Sequence, residues 1–535
     1  MLKVTCLGAT QTVTGSNFLV ETPSGSHYLV DCGLYQGPKK LERRNWADWD
    51  FDPAAIKALL LTHAHIDHCG RIPKLVKDGF QGKIVTTQAT AELCDIMLQD
   101  AAHIQEMQAE WESRKKKRQG KPPVDPLYTT EDAQAAMPFF HTVQRNEFID
   151  LEPGLRIRLH NAGHILGSSI LEIRARHNGE DMRVIFSGDL GQRDQLLVQD
   201  PEQIQNADHL FIESTYGDRN HRSLNESKEE LLQAIDLSVR AGEKVLIPAF
   251  AVERTQEIIT ILGEFHRQGR LPDIPIFLDS PLAIKATQIF QSHVQDFDAE
   301  TRALAEQGID PFTLPGLKLT ASTQQSMAIN EYKGPAIIIA GNGMGTAGRI
   351  LHHFKHNLWR EGCSVVIVGF QAAGSTGRRL VNRARQIKVM GETISVRARV
   401  FTIGGFSAHA DQGDLLNWIG QIKTQPALYL VHGEESAITT LARIIRKDYG
   451  LDVHIPTWKE RILLKPRQVE EEPAFVEKED RDLSTTAINT LVDVEHVIKD
   501  LKKRLASAEG MSNLDDEDID RLQGMVQDLQ SMLEQ

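Results

Sequence analysis

The hexapeptide His63-Ala64-His65-Ile66-Asp67-His68 constrains this chain more than any other feature. It places four metal-grade side chains directly behind an apolar run, Ile56 to Leu61. Ala58, Leu59, Leu60 and Leu61 read as a buried strand, so the cluster sits at a strand exit. Imidazole and carboxylate are the ligands that suit zinc. Adjacent side chains diverge, so this short turn cannot close one tetrahedral site alone. It can give two ligands to one ion and two to a neighbour, as a two-metal hydrolase requires. A polar loop of incidental histidines is the plain alternative. It does not explain two ligand types in one turn, or the later segments that answer them.

Those segments repeat one design, an apolar strand that ends in a ligand-type residue. Leu155 to Leu159 runs toward Gly163-His164, Val184 to Phe186 into Ser187-Gly188-Asp189, and Leu428 to Val431 into His432-Gly433. A small residue beside each ligand lets the backbone turn sharply. A single histidine after a strand is more often a hydrogen-bonded structural residue, so the argument rests on their joint occurrence. Cys69 follows His68, but one position on it is expected to point away from the cluster.

With these residues set out, the chain resembles the metallo-β-lactamase-superfamily nucleases that carry a β-CASP insert. The likeness is to the RNA-processing branch, which includes the cleavage and polyadenylation endonuclease subunit. Asp31, His63 to His68, His164 and Asp189 match the four superfamily motifs. Glu213 in Phe211-Ile212-Glu213-Ser214-Thr215, His409 in Gly405-Phe406-Ser407-Ala408-His409, and His432 match the three β-CASP motifs. Asp279-Ser280-Pro281, the segment from Gly343 to Arg349 and the segment from Gly369 to Arg379 look like the same branch. The resemblance spans about residues 1–465. It implies an α/β fold: a metallo-β-lactamase αββα sandwich with an inserted α/β β-CASP domain, followed here by a helical C-terminal tail.

The same resemblance implies a zinc-dependent ribonuclease with two zinc ions per chain. His63, His65, His164 and Asp189 would hold one ion. Asp67, His68, Asp189 and His432 would hold the other, with Asp189 bridging. The implied chemistry is a two-metal hydroxide mechanism acting on RNA phosphodiester bonds, endonucleolytic, 5′-to-3′ exonucleolytic or both. Catalytic roles fall to His409, Glu213, Asp67 and Asp31. His409 would protonate the departing sugar oxygen, Glu213 would orient and charge that imidazole, and Asp31 would support a ligand histidine. Ser407, Ser375 and Arg378 are expected to meet phosphate. His432 favours single-stranded RNA over DNA, since the DNA-repair branch usually lacks that histidine. A β-CASP DNA nuclease is the nearest alternative. A small-molecule metallohydrolase has no reason for the insert, and an inactive scaffold would have lost ligands.

A length of 535 residues calls for two or more domains. The expected division is 1–208 and 397–465 for the sandwich, 209–396 for the insert, and 466–535 for an acidic linker and helical hairpin. Within the insert, Lys244 to Pro248, Ile274 to Leu278, Ala336 to Ala340 and Ser364 to Val368 read as buried parallel strands. Residues 88–112 read as a helix, broken by the basic stretch from Arg114 to Pro123, which reads as a solvated loop. In the tail, Ile488, Leu491, Val494, Ile498, Leu501 and Leu505 form one apolar stripe, and Ile519 to Leu533 a second. These stripes can pack on the body, pair two copies as a homodimer or bind a protein partner.

The net charge of −13 looks wrong for a nucleic-acid enzyme. The tail from Pro466 onward holds 18 acids against 8 bases, so the remaining body is nearly neutral and can still carry a basic groove. Five scattered cysteines without a C-x-x-C pair fit reduced thiols and a cytoplasmic protein. The sequence shows no secretory leader and no membrane-spanning run.

Overall fold

The computed structural model describes residues 2–177, 180–371 and 374–466. Two seven-stranded sheets lie face to face. The first runs, in spatial order, Arg461–Leu464, Leu2–Cys6, Phe18–Glu21, His27–Val30, Ile56–Leu60, Lys83–Thr86 and Phe140–Thr142. The second runs Val453–His454, Ala427–Leu430, His209–Ile212, Glu180–Phe186, Ser169–His177, Leu155–Asn161 and Ile149–Glu152. Alternate residues of both sheets fill the layer between them, including Val4, Phe18, Leu60, Ile173, Phe186 and Phe211. The rings of Phe186 and Phe211 stack at 4.6 Å. Helices cover the outer faces, which buries each sheet on both sides and explains why the central strands read as unbroken apolar runs.

The insert has its own six-stranded parallel sheet: Leu317–Leu319, Ile276–Leu278, Ala336–Ala340, Lys244–Pro248, Ser364–Ile367 and Arg399–Thr402. The helices Leu224–Arg240 and Arg254–Arg267 bury their apolar faces in one cluster with it. Ile350–Asn357 and Thr376–Val381 do so in a second. The loops that follow its strands carry Phe250, the Gly-rich segment 341–348, Phe370 and Ser407. In open α/β sheets this carboxyl end is where ligands bind.

Three sequence expectations need correction. The strand His209–Ile212 was expected in the insert, but it pairs in parallel with both Glu180–Phe186 and Ala427–Leu430 inside the sandwich. Arg399–Thr402 was expected in the sandwich, but it is the edge strand of the insert's sheet, beside Ser364–Ile367. Each boundary therefore moves one strand further along the chain, because a short buried strand reads alike whichever sheet takes it. Third, the basic stretch begins inside a helix, Gln88–Lys117, whose last turn is Arg114, Lys115, Lys116 and Lys117. Cations there face the negative end of the helix dipole, a favourable placement. The helical hairpin expected in the tail lies outside the described residues.

Candidate active site

Four strand ends converge on one pocket, and each reaches it through a left-handed residue. Asp31 follows His27–Val30 at φ 57°, and His432 follows Ala427–Leu430 and Val431 at φ 48°. Gly163 (φ 62°) precedes His164, and Gly188 (φ 55°) precedes Asp189. Glycine takes this conformation freely. Asp31 and His432 take it only because their surroundings hold them there. Asn17 Nδ2 donates to the Asp31 carbonyl at 2.9 Å, and the His432 N–H donates to Ala9 O at 2.7 Å. The hexapeptide forms the fifth wall: His65 is the extended N-cap of the short helix Ile66–Cys69, which turns Asp67 and His68 inward.

Asp189 is at the centre. Its Oδ2 lies 3.4 Å from His63 Nε2 and 3.6 Å from His164 Nε2, while His65 Nδ1 is 3.1 Å from both of those nitrogens. Its Oδ1 lies 3.3 Å from His68 Nε2 and 3.4 Å from His432 Nδ1. His432 Nε2 is 3.3 Å from His68 Nε2 and 3.5 Å from Asp67 Oδ2. Every expected ligand is therefore present, in two groups that share one carboxylate.

Proton positions follow from what each ring meets on its far side. His164 Nδ1 is 3.1 Å from the Ala408 carbonyl, which can only accept, so the proton sits there and Nε2 keeps its lone pair. His68 Nδ1 is 2.7 Å from Asp31 Oδ2, with the same consequence. Asp31 is held in turn by the hydroxyls of Ser16 and Thr62 and by the Thr62 N–H. A carboxylate in this position can hold the ring of a histidine in one orientation. Burial and the neighbouring His63 push His65 down to about 3, and burial helped by His409 keeps His164 well below the usual range. Both are therefore neutral ligands without loss of a proton. Burial opposes charge on His68, but Asp189 and Asp31 outweigh it and raise its pKa. Burial likewise opposes ionisation of Asp189, yet the imidazoles led by His432 and His68 hold its carboxyl well below normal.

His409 stands beside this cluster, its Nε2 4.0 Å from Asp189 Oδ2. Its Nδ1 is 3.1 Å from both oxygens of Glu213, a carboxylate with 0% exposure that also accepts from the Leu190 N–H at 2.7 Å. Burial disfavours the imidazolium, but the charges of Glu213 and Asp189 prevail and raise its pKa to about 9. The pair is poised to hold a proton at neutral pH.

The three residues expected to meet phosphate also make contacts within the fold. Ser407 Oγ accepts from the His409 N–H at 3.3 Å and so shapes the catalytic loop. Ser375 Oγ caps the helix Thr376–Val381 through the Arg378 N–H at 3.1 Å. Arg378 Nε donates to Gln371 O at 2.8 Å, and its guanidinium lies 5.8 Å from the Phe370 ring centre. Cys69 points away as expected, its thiol directed to Ala64 O.

Sequence reasoning missed Thr62, which ties Asp31 to the rings of His63 and His68, and Thr215, whose hydroxyl meets His432 Nδ1 at 3.1 Å. Both adjoin or lie within quoted motifs, so position was the available signal. Glu253 was missed as well. It is buried, left-handed at φ 68°, and accepts from the Leu166 N–H beside the His164 turn at 3.0 Å. Burial raises its carboxyl pKa to about 8.

Fold and donor cluster together define a metal-dependent hydrolase. Family models match along most of the chain. Residues 11–249 match the metallo-beta-lactamase superfamily, 255–380 the Beta-Casp domain, and 393–456 the Zn-dependent metallo-hydrolase RNA specificity domain. Ribonuclease TTHA0252 of Thermus thermophilus is 37% identical over 444 residues, covering 83% of this chain and 96% of the relative. Transcription termination factor FttA of Thermococcus kodakarensis is 32% identical over 483 residues, covering 87% of this chain and 72% of the relative. This chain belongs to the β-CASP family of the metallo-β-lactamase superfamily.

Proposed function

We propose that this chain is a ribonuclease that hydrolyses phosphodiester bonds of single-stranded RNA with two zinc ions per chain. One observation carries the reading. Asp189 Oδ1 is buried without a hydrogen-bond partner, and it lies 3.3 Å from His68 Nε2 and 3.4 Å from His432 Nδ1 on a carboxylate shared by both candidate ligand groups. A buried oxygen of this kind is costly unless a cation fills the gap. His63, His65, His164 and Asp189 suit one ion. Asp67, His68, His432 and Asp189 suit the other.

When bound, the two ions supply a water acidic enough to ionise near neutral pH and a positive field for the phosphate oxygens. The protein does the rest. Asp31 fixes the His68 tautomer, and the Ala408 carbonyl fixes that of His164. His409, charged through Glu213, holds a proton on Nε2 for the departing sugar oxygen. Five unpaired, buried cysteines support a cytoplasmic location. Among the described residues no helix is long and apolar enough to cross a membrane. Dimerisation or partner binding through the tail is part of the same proposal.

The test is hydrolysis of single-stranded RNA labelled at each end in turn, beside single-stranded DNA of the same sequence, with elemental analysis of the same sample. RNA cleavage with two zinc ions per chain is expected. Preference for DNA, or full activity with one ion, would overturn the reading. The labelled ends separate internal from terminal cleavage.

A further inference from the structure

One strongly basic surface of this acidic chain lies outside the metal pocket. Residues 376–399 hold seven Lys and Arg against a single acid, Glu392. The fold gathers these residues onto one side. The helix Thr376–Val381 packs against the strands Gln386–Val389 and Arg399–Thr402, and Arg379 Nη2 donates to Gln386 O at 3.3 Å. Beneath them Leu380, Ile387, Val389 and Val400 enter one apolar cluster. Strand alternation then turns Lys388 and Arg399 outward, and Arg379, Arg383 and Arg385 are exposed beside them.

The nearby acids are already paired, Glu392 with Lys355 and Glu361 with Arg397. Arg383, Arg385, Lys388 and Arg399 are left without a carboxylate partner among the described residues. Edge-strand protection accounts for a charge at Arg399. It does not account for cations on the helix and hairpin, where mutual repulsion has no structural return.

This surface is joined to the catalytic histidine by a line of rings. The Tyr216 ring lies 6.2 Å from that of His409 and 6.0 Å from Phe370, and Phe370 lies 5.8 Å from the Arg378 guanidinium, one residue before Arg379. Tyr216 is buried and only backs the line, but the partly exposed Phe370 ring beside exposed cations is an arrangement that carries single-stranded nucleic acid, a base on the ring and phosphates on the charges.

We propose that Arg379, Arg383, Arg385 and Lys388 form a track for the RNA backbone leading away from the cleavage site, so that long single strands are held beyond the metal pocket. The inference rests on the ribonuclease reading and adds where the distal RNA runs.

The test compares full-length wild type with the combined variant R379Q, R383Q, R385Q and K388Q, on RNAs of about 4 and about 20 nucleotides over a range of salt. For the long RNA the variant should raise KM by roughly tenfold or more at physiological salt. The slope of log KM against log salt should fall by roughly 2–3, since each phosphate contact on a single strand contributes about 0.7. Its kcat, and both constants on the short RNA, should match wild type. An unchanged KM and slope on the long RNA, or an equal loss on the short one, would overturn the track. The charge-preserving variant R379K, R383K and R385K should behave as wild type; a loss matching the glutamine variant would show packing, not charge, and also overturn it. Failure of wild type to cut either RNA would instead defeat the ribonuclease reading.

Discussion

Asp189 and Asp279 are two buried carboxylates that each follow a strand and face histidine, yet they are wired oppositely. Asp279 in the insert has every oxygen occupied. Oδ1 accepts from Thr320 and Arg349 at 2.9 and 2.7 Å, and Oδ2 from Ser326 and His353 at 2.6 and 2.7 Å. Asp189 sits among five imidazoles, and its Oδ1 has no hydrogen-bond partner. A filled carboxylate is a structural joint. One with a buried oxygen left open has room for a cation, which is the role proposed for Asp189. The donor count around a buried acid thus separates the two roles where burial and residue type do not.

The contrast breaks most sharply at its centre. Asp189→Asn should remove zinc from both groups and abolish RNA hydrolysis, because the shared ligand goes; elemental analysis and turnover on one sample check this. His409→Ala should keep the metal and lose roughly 10²–10⁴-fold in kcat, the scale of a lost general acid. Metal loss in step with activity would make His409 a ligand instead.

Glu213→Gln should do less. Glu213 and Asp189 hold His409 up to about 9 against burial, so removing one charge lowers that value. An acid that deprotonates earlier fails at lower pH, and the alkaline limb of the pH–rate profile should move toward acid by roughly one to two pH units. An unmoved limb would remove Glu213 from the proton path.

Asp279→Asn should leave zinc content and turnover alone while costing about 2–3 kcal/mol in urea unfolding. Burial works against the Asp279 charge, but bonds from His353, Ser326 and Arg349 depress its carboxyl pKa to about 2. Its contribution is therefore full above the unfolded value of about 4, and the gap between variant and wild type should close as pH falls from there toward 2. Smallest of all, deletion of residues 468–535 should leave hydrolysis of short RNA nearly unchanged, since every candidate catalytic residue lies earlier. Loss of zinc on truncation, seen beside sedimentation data, would show that the tail completes the core.

The candidate ligands His63, His164, Asp189 and His432 were legible because each follows an apolar strand and they occur together, while their grouping came from the family resemblance. The supports were not legible. Thr62 and Thr215 act through hydroxyl bonds to rings that only the folded chain brings near, and a threonine after a strand carries no such message by itself. Ser375 was read as a hydroxyl donor to phosphate, and its second use was not legible. Its oxygen also accepts from the Arg378 N–H as the cap of a six-residue helix, a bond that leaves its own proton free to donate. The boundary strands His209–Ile212 and Arg399–Thr402 were misplaced for a related reason, since hydrophobic pattern reports burial and not which sheet does the burying.

The body also closes end to end. Arg461–Leu464 pairs antiparallel with Leu2–Cys6, and His68 meets His432 across 364 residues of chain. Contacts of such separation form late and slowly. During synthesis the first candidate ligands leave the ribosome long before His432 is made, and one edge of the strand Leu2–Cys6 stays open until residue 464 has emerged. Until His432 arrives, the second of the two donor groups around Asp189 stays incomplete, whatever the state of the first.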